Sequence, residues 1–579
     1  MTRPSRPVST RLWLALALLV PGGLHAQDSR GSITGLITDA TGAVAPRVKV
    51  SATNTATKVW TSATTNTSGN YTIFYLIPGV YDLSAELTGF ATMERRGIEV
   101  QVGDKLELNF QLQVASTATS VEVATETPLL ATESASSGTV IDRRQVTELP
   151  LPYGNPFMLT TLAPGVVFTG ANMLQIRPFD NSVTANIRVD GAPGGSEFAI
   201  DGSPNTATTR GTQKGAVVAY VPPAEAVQEF KMETSSFDAR QGHAPGAAVN
   251  VTIKSGTNQL RGSGWEFTRP STLVANDFFL RRAGQTPTAL SVNRFGGTVG
   301  GPVWIPKVYN GRNRTFFFFA YENMMLDQPN GSIQTLPTGA MRGGDFSSLL
   351  SQNILIYDPN TAISASGGRI QRTPFAGNVI PGNRLSPIAQ NVLKYYPLPN
   401  AAGDQQGSNN FISNNEAIDR FNSEITRVDH TFSDKHRSFV RLQRNFRNSP
   451  STGWEGGDIN GINPTQGLGY RGNEGLALDH VFLASPTDLF DISAGITRYY
   501  VGSGRMAAGF DPASLGFPAS TVALFSGFKY FPSFAPSGYA TVGASGGDFQ
   551  ADNTFYIQGA YTKTKGKHSL HAGYDVREL

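Results

Sequence analysis

The chain has 579 residues and no cysteine, which excludes a disulfide framework and a thiolate metal site. Its 47 Lys and Arg nearly balance 44 Asp and Glu, so bulk electrostatics give no reason to expect nucleic acid as a partner. With 62 glycines and 10% aromatic residues set between short alternating runs, the composition suits a β-rich protein of several domains.

Residues 1–26 have the pattern of a secretory signal peptide. Arg3, Arg6 and Arg11 form a basic start, Leu12 to Val20 an apolar stretch, Pro21-Gly22-Gly23 a break and Ala26 a small residue for cleavage. An uncleaved anchor is the alternative. The segment carries three arginines and no acid, so its removal leaves a neutral chain. No later run is apolar for about 18 residues, so any membrane passage would have to use β-strands.

Residues 27–114 form a first module. Ser32–Thr38, Val48–Ala52, Tyr71–Phe74, Tyr81–Leu87, Ile98–Val102 and Leu106–Leu112 read as strands. Asp39-Ala40-Thr41-Gly42, Thr67-Ser68-Gly69-Asn70 and Pro78-Gly79 read as turns between them. Such spacing predicts a small antiparallel β-sandwich. Gly35-Leu36-Ile37-Thr38-Asp39, Thr67-Ser68-Gly69-Asn70-Tyr71 and Leu76-Ile77-Pro78-Gly79-Val80-Tyr81 resemble the carboxypeptidase regulatory-like family, a prealbumin-type sandwich. That resemblance implies a scaffold or binding role without catalytic residues.

Residues 115–130 are small and polar, a composition that predicts an extended, mobile linker. Residues 131–255 then mix short strands and helices. Thr139–Asp142 reads as a strand, Arg143–Leu149 as a short helix, Met158–Leu162 as helix-like, and Ala163-Pro164-Gly165-Val166 as its stop. Asp190-Gly191 and Asp201-Gly202 each follow a short apolar strand, a strong turn signal. Val221-Pro222-Pro223 opens a helical piece over Ala224–Val227, and Ala247–Ile253 closes the stretch as a β-branched strand. In order and spacing these pieces resemble the plug domain of TonB-dependent outer-membrane transporters. The resemblance implies a TonB box just before the plug, a short strand captured by an energy-transducing partner. Val121, Glu122 and Val123 are the best candidates, since an exposed alternating tripeptide can add to the edge of another sheet. An inert linker is the competing reading. Asp190 and Asp201 are candidate cation ligands that turn formation alone also explains.

From residue 256 to 579 the texture changes to longer strands. Leu260–Arg269, Ser291–Gly301, Arg314–Glu322, Phe421–Phe432, His436–Phe446, Asn473–Ala484, Asp488–Tyr500, Asp552–Thr562 and His568–Arg577 are each close to the roughly 9–11 residues of a tilted membrane strand. Phe490, Ile492, Ala494 and Ile496 share one face, and Asp491, Ser493, Gly495 and Thr497 the other. Leu570, Ala572, Tyr574 and Val576 likewise oppose Ser569, His571, Gly573, Asp575 and Arg577. Alternation alone fits a soluble sandwich too. The connections decide, because they run short and long in turn, the loop asymmetry of outer-membrane barrels. Arg261–Phe267, Asn293–Val303, Arg314–Glu322 and the loop runs Gly344–Ser347, Ile356–Thr361, Pro374–Pro387 and Tyr395–Asn400 resemble the Oar-like subgroup of these transporters.

The predicted fold is thus mainly β: a prealbumin-like sandwich, a small α+β plug, and the first part of an antiparallel transmembrane barrel. The resemblance implies energy-coupled uptake of an extracellular small molecule, glycan or peptide. It implies an outer-membrane location with sandwich and plug on the periplasmic side, and a TonB-type inner-membrane complex and outer-membrane lipid as partners. A surface adhesin without transport is the alternative. The seven histidines form no metal-binding or nucleophile motif. His568 and His571 fall on opposite faces of a strand, and Asp345 and Asp358 are candidate calcium ligands that a solvated loop also explains. No cofactor and no catalysis are expected. About nine strands are too few to enclose a plug, for which barrels use 22, so further strands are expected beyond Leu579.

Overall fold

The computed structural model describes residues 30–114, 120–122, 138–170, 176–180, 186–191, 195–207, 217–234, 246–273, 275, 290–329, 332–404, 407–413, 416–451, 467–505, 509–525, 530–543, 549–566 and 568–579. The signal-like segment 1–26 and Val123 lie outside these residues.

The first module has nine strands: β1 (Gly31–Thr38), β2 (Lys49–Asn54), β3 (Trp60–Thr64), β4 (Asn70–Leu76), β5 (Gly79–Glu86), β6 (Thr92–Val100), β7 (Lys105–Glu107), β8 (Phe110–Gln111) and β9 (Ser120–Glu122). One sheet runs β4-β1-β7 with β8 also on β1, and the other runs β3-β2-β5-β6-β9. They close on a core that includes Ile33, Ile37, Val50, Leu83, Leu106 and Phe110. Gly35 lets the β7–β8 segment lie close against β1 within the first sheet, because a Cβ there would lie 1.8 Å from the Leu108 carbonyl oxygen. Two expectations are corrected. The sandwich is mixed rather than antiparallel, since β7 and β8 return across the fold and pair with β1 in parallel. Part of the expected mobile linker is ordered, because β9 pairs in parallel with β6, Met93 opposite Val121. An open sheet edge with unpaired backbone groups takes up an adjacent alternating tripeptide regardless of its composition.

The second unit contains β10 (Gly138–Ile141), β11 (Val166–Phe168), β12 (Ile187–Val189), β13 (Glu197–Ile200), β14 (Ser203–Pro204), β15 (Thr206–Ala207), β16 (Val217–Val218), β17 (Val227–Glu233) and β18 (Ala248–Ile253). Its main sheet runs β10-β17-β18-β13-β14, with β13 parallel to β18. Helix α1 (Arg143–Glu148) starts at Asp142, whose carboxylate accepts from the Gln145 N–H while the Gln145 side chain caps back. Both Asp-Gly turns are left-handed, with φ of 49° and 75° at Asp190-Gly191 and 47° and 78° at Asp201-Gly202.

The third unit is one antiparallel sheet of nine strands in sequence order. They are β19 (Arg261–Arg269), β20 (Ser291–Pro302), β21 (Thr315–Pro329), β22 (Glu416–Thr431), β23 (His436–Ser451), β24 (Gly467–Ser485), β25 (Asp488–Arg505), β26 (Phe549–Lys565) and β27 (His568–Glu578). These are the nine expected strands, but β22 to β26 have 16 to 19 residues rather than about ten. Ladder pairing between neighbours continues past the apolar zone, because a β-ladder depends on its partner strand and not on lipid. The connections 303–314, 432–435, 486–487 and 566–567 are short, and 270–290, 330–415, 452–466 and 506–548 are long. Two long connections fold on each other around Leu336, Val392, Tyr396, Phe510, Phe531 and Val542, making a cap at the loop end.

Candidate functional site

The sheet is inside out relative to a soluble protein. Leu442, Leu478 and Ile492 are 53%, 44% and 46% exposed, whereas Arg427, Arg441, Asp479 and Asp491 are 4%, 3%, 6% and 4% exposed. Residues alternate along β23, β24 and β25, so a mostly apolar set forms the outer face there and polar and charged residues line the inner one. His436 stacks on Phe482, Phe482 on Phe490, and Phe490 packs on Tyr561, forming an aromatic row near the short turns. Tyr470, Phe549 and Tyr500 form a second row toward the long loops. Along β24 the rows are about 12 residues apart, about 28 Å of height at about 3.3 Å per residue and a tilt near 45°. An exposed ion pair, Arg444–Glu474 at 3.8 Å, lies just below the outer row.

The second unit fills the inner face. Its core, with Phe157, Phe198, Tyr220 and Phe230, continues into Phe318, Ala320 and Ile425 of the sheet. The Tyr220 hydroxyl donates to the Glu424 carbonyl at 2.9 Å, and the Ser423 hydroxyl donates to the Val221 carbonyl at 3.1 Å. Asp201 is the electrostatic centre of this contact. Its carboxylate pairs with Arg427 at 2.8 Å and Arg441 at 2.7 Å, and accepts from the Ile253 N–H at 3.0 Å. Burial alone would raise the Asp201 pKa, but the two guanidiniums outweigh it and hold the carboxyl below its ordinary range. Arg427 is shared with Asp429 at 2.8 Å. Further pairs ring the contact: Arg577 with Glu197 at 2.6 Å, and Arg177 and Arg447 with Asp419 at 3.3 and 2.5 Å.

Of the residues singled out in the sequence, Val121 and Glu122 lie in β9 on the sandwich edge, at a distance from the Asp201 cluster along the chain. Asp190 forms its turn. Asp201 forms its turn and also holds two barrel arginines, which explains its conformation and burial without a cation. Asp345 caps the Ser347 N–H at 2.9 Å, and Asp358 pairs with Arg384 at 2.6 Å. The His571 ring meets Thr562 at 2.9 Å and Ser569 at 3.1 Å. Among the described residues no group of three or more His, Asp or Glu is placed to hold a metal ion. Sequence reasoning missed Arg427 and Arg441; for Arg441 the available signal was a charged residue on the inward register opposite Val440 and Leu442, whereas the strand of Arg427 carries polar residues on both faces and offered no such signal.

Residues 252–579, more than half of the chain, match the family described as outer membrane beta barrel domain, and residues 32–113 match the carboxypeptidase regulatory-like domain. Among curated proteins, the TonB-dependent transporter Oar of Myxococcus xanthus is 23% identical over 308 residues, covering 52% of this chain and 28% of that protein. The chain therefore spans little more than a quarter of the relative's length. Among solved structures, the outer membrane transporter YddB of Escherichia coli aligns at 12% identity and TM-score 0.45, over 75% of this chain and 47% of that one. The siderophore receptor PirA of Acinetobacter baumannii aligns at 13% identity and TM-score 0.36, over 74% and 45%. The apolar outer face, the polar inner face and the match over 252–579 lead to one conclusion: the chain belongs to the outer-membrane β-barrel family and is an outer-membrane protein related to TonB-dependent transporters.

Proposed function

We propose that the protein is an energy-coupled transporter, taking up an extracellular small molecule, glycan or peptide through a barrel whose lumen is blocked by residues 131–255. The observation that carries this reading is the plug–wall contact itself. It is built from buried ion pairs centred on Asp201, and such pairs specify a docked position while contributing little net stability. A permanent core would be better served by apolar packing. In this reading the long-loop cap faces outside and receives substrate, and the sandwich faces the periplasm. An inner-membrane complex of the TonB type supplies force through residues 115–130, with Val121, Glu122 and Val123 as the captured strand.

The test is uptake of a panel of labelled ligands (ferric siderophores, cobalamin, oligosaccharides, short peptides) by cells carrying the full protein, with and without a protonophore. At least one ligand should accumulate only in energised cells. Val123→Pro should abolish that accumulation while the barrel still assembles, because proline removes a donor from an added strand. Surface binding of a ligand with no energised accumulation across the panel would favour the adhesin reading.

A further inference from the structure

The role of the N-terminal sandwich is open, and its contacts bear directly on it. Arg30, just ahead of β1, reaches into the barrel and pairs with Asp479 and with Asp491, the latter at 3.4 Å. Side-chain exposure of all three residues is 5%. The Arg30 guanidinium stacks on Tyr75 at 3.6 Å, and the Tyr75 hydroxyl donates to Asp479 at 2.9 Å. Tyr75 takes a left-handed backbone with φ of 68°, a conformation that costs a bulky residue energy and must be held by its surroundings. The burial pattern of β4 stops alternating there, so that Phe74 and Tyr75 pack on Val481 and Leu489 of the barrel while Leu76 stays in the sandwich core.

Other contacts spread over the short-turn end of the barrel. Arg437 donates to the Trp60 carbonyl at 2.7 Å, and Asn258 donates to the Thr57 carbonyl at 2.6 Å. Asn66 reaches the Gly566 carbonyl at 3.5 Å. On the plug side, the Val102 N–H donates to the buried Glu229 carboxylate. The sandwich thus touches the plug and the ends of β23, β24, β25 and β26 at once. Beside the apolar patch of Phe74, Tyr75, Val481 and Leu489, the seam carries polar contacts and is incompletely filled, with a cavity of about 170 Å³ lined by Arg30, Asn54, Asp201, Gln228, Ser255 and Arg427. Polar, cavity-bearing contacts between domains are the kind that separate.

We propose that the sandwich is a releasable lid on the periplasmic mouth of the barrel, latched by Arg30 against Asp479 and Asp491. The inference rests on the reading that the lumen is a passage, since a lid matters only where something goes through. The parallel pairing of β9 with β6 adds a means of release. A partner that captures residues 120–122 must first take them from the sandwich edge, so its pull loads the lid before the plug.

The chain has no cysteine, so single thiols report on the seam. Val481→Cys places one beneath Phe74 and Tyr75, and Lys435→Cys places one on the exposed turn nearby. In isolated outer membranes carrying the full chain, a membrane-impermeant maleimide should label Val481→Cys at least about ten-fold more slowly than Lys435→Cys, as expected for a site reached only after opening. Arg30→Ala should remove most of that protection, and so should Asp479→Asn combined with Asp491→Asn from the opposite side. Unchanged labelling of Lys435→Cys and unchanged heat-modifiable mobility exclude misfolding as the cause. Labelling of Val481→Cys as fast as Lys435→Cys with the latch intact would overturn the lid. Full protection persisting in both latch variants would overturn the assignment of Arg30. Protection lost as expected, with no ligand accumulating in energised cells, would support the lid and count against the transport reading.

Discussion

At the scale of single residues, two buried carboxylates are expected to respond to pH in opposite directions. Asp201 has a lowered pKa, so its contribution to plug docking is complete above the ordinary value of 3.8 and is lost as pH falls below it. Glu229 is pushed up to about 7, first by burial and then, against its bond from the Val102 N–H, by Asp104, Glu99 and Asp142. Its ionised form is the penalised one. The native state therefore holds more protons between pH 4.5 and about 7, and the sandwich–plug contact weakens as pH rises through that window. Protection of the Val481→Cys thiol should increase from pH 8 to pH 5, and Glu229→Gln should flatten the dependence. For Asp201 the direct test is Arg441→Ala, which leaves the buried carboxylate undercompensated at a cost of about 3 kcal/mol or more. The urea concentration at which the plug becomes protease-sensitive should fall. Combining Arg441→Ala with Asp201→Asn should cost less than the two single changes summed.

At the scale of elements, residues 27–114 are expected to fold alone, because the Ile33–Phe110 core is closed without a barrel residue. The isolated module should show β-type circular dichroism and one cooperative melt, and a disordered spectrum would count against it. Gly35→Ala should lower that melting temperature sharply, since its Cβ would collide with the Leu108 carbonyl. Elements of this kind were legible in the sequence because their signals are local. The nine barrel strands showed as period-two alternation, α1 as a short run ahead of Pro150, and the two left-handed turns as Asp-Gly pairs. The Asp201 cluster was not legible, because Arg427 and Arg441 lie more than 200 residues away and only strand register brings them together. Arg30 was hidden for the same reason, its partners Asp479 and Asp491 sitting at the far end of the chain. The β6–β9 pairing was missed because the alternating tripeptide at 121–123 signals that it can join a sheet edge without saying which edge, and the open edge of β6 is not visible in the sequence of 115–130.

At the scale of the whole molecule, the arrangement is layered along the barrel axis: a cap of long loops, a sheet with lipid-compatible outer face and polar inner face, the second unit held to that face through Asp201, and a sandwich across the short-turn end. Exposed apolar side chains would be destabilising in water and become favourable when the outer face meets hydrocarbon, while the inner charges are compensated by their ion-pair partners. That inversion is the central claim, and lipid contact tests it most directly. Nitroxides placed singly at 442, 478 and 492, and at inward positions 443, 493 and 558, should be read in outer membranes for relaxation by oxygen and by a water-soluble nickel chelate. The expected result is strong oxygen and weak nickel effects at Leu442, Leu478 and Ile492, and weak effects of both at Gln443, Ser493 and Gln558, which the plug shields. Nickel relaxation at the three outward positions as strong as at a label on Lys435 would contradict the account.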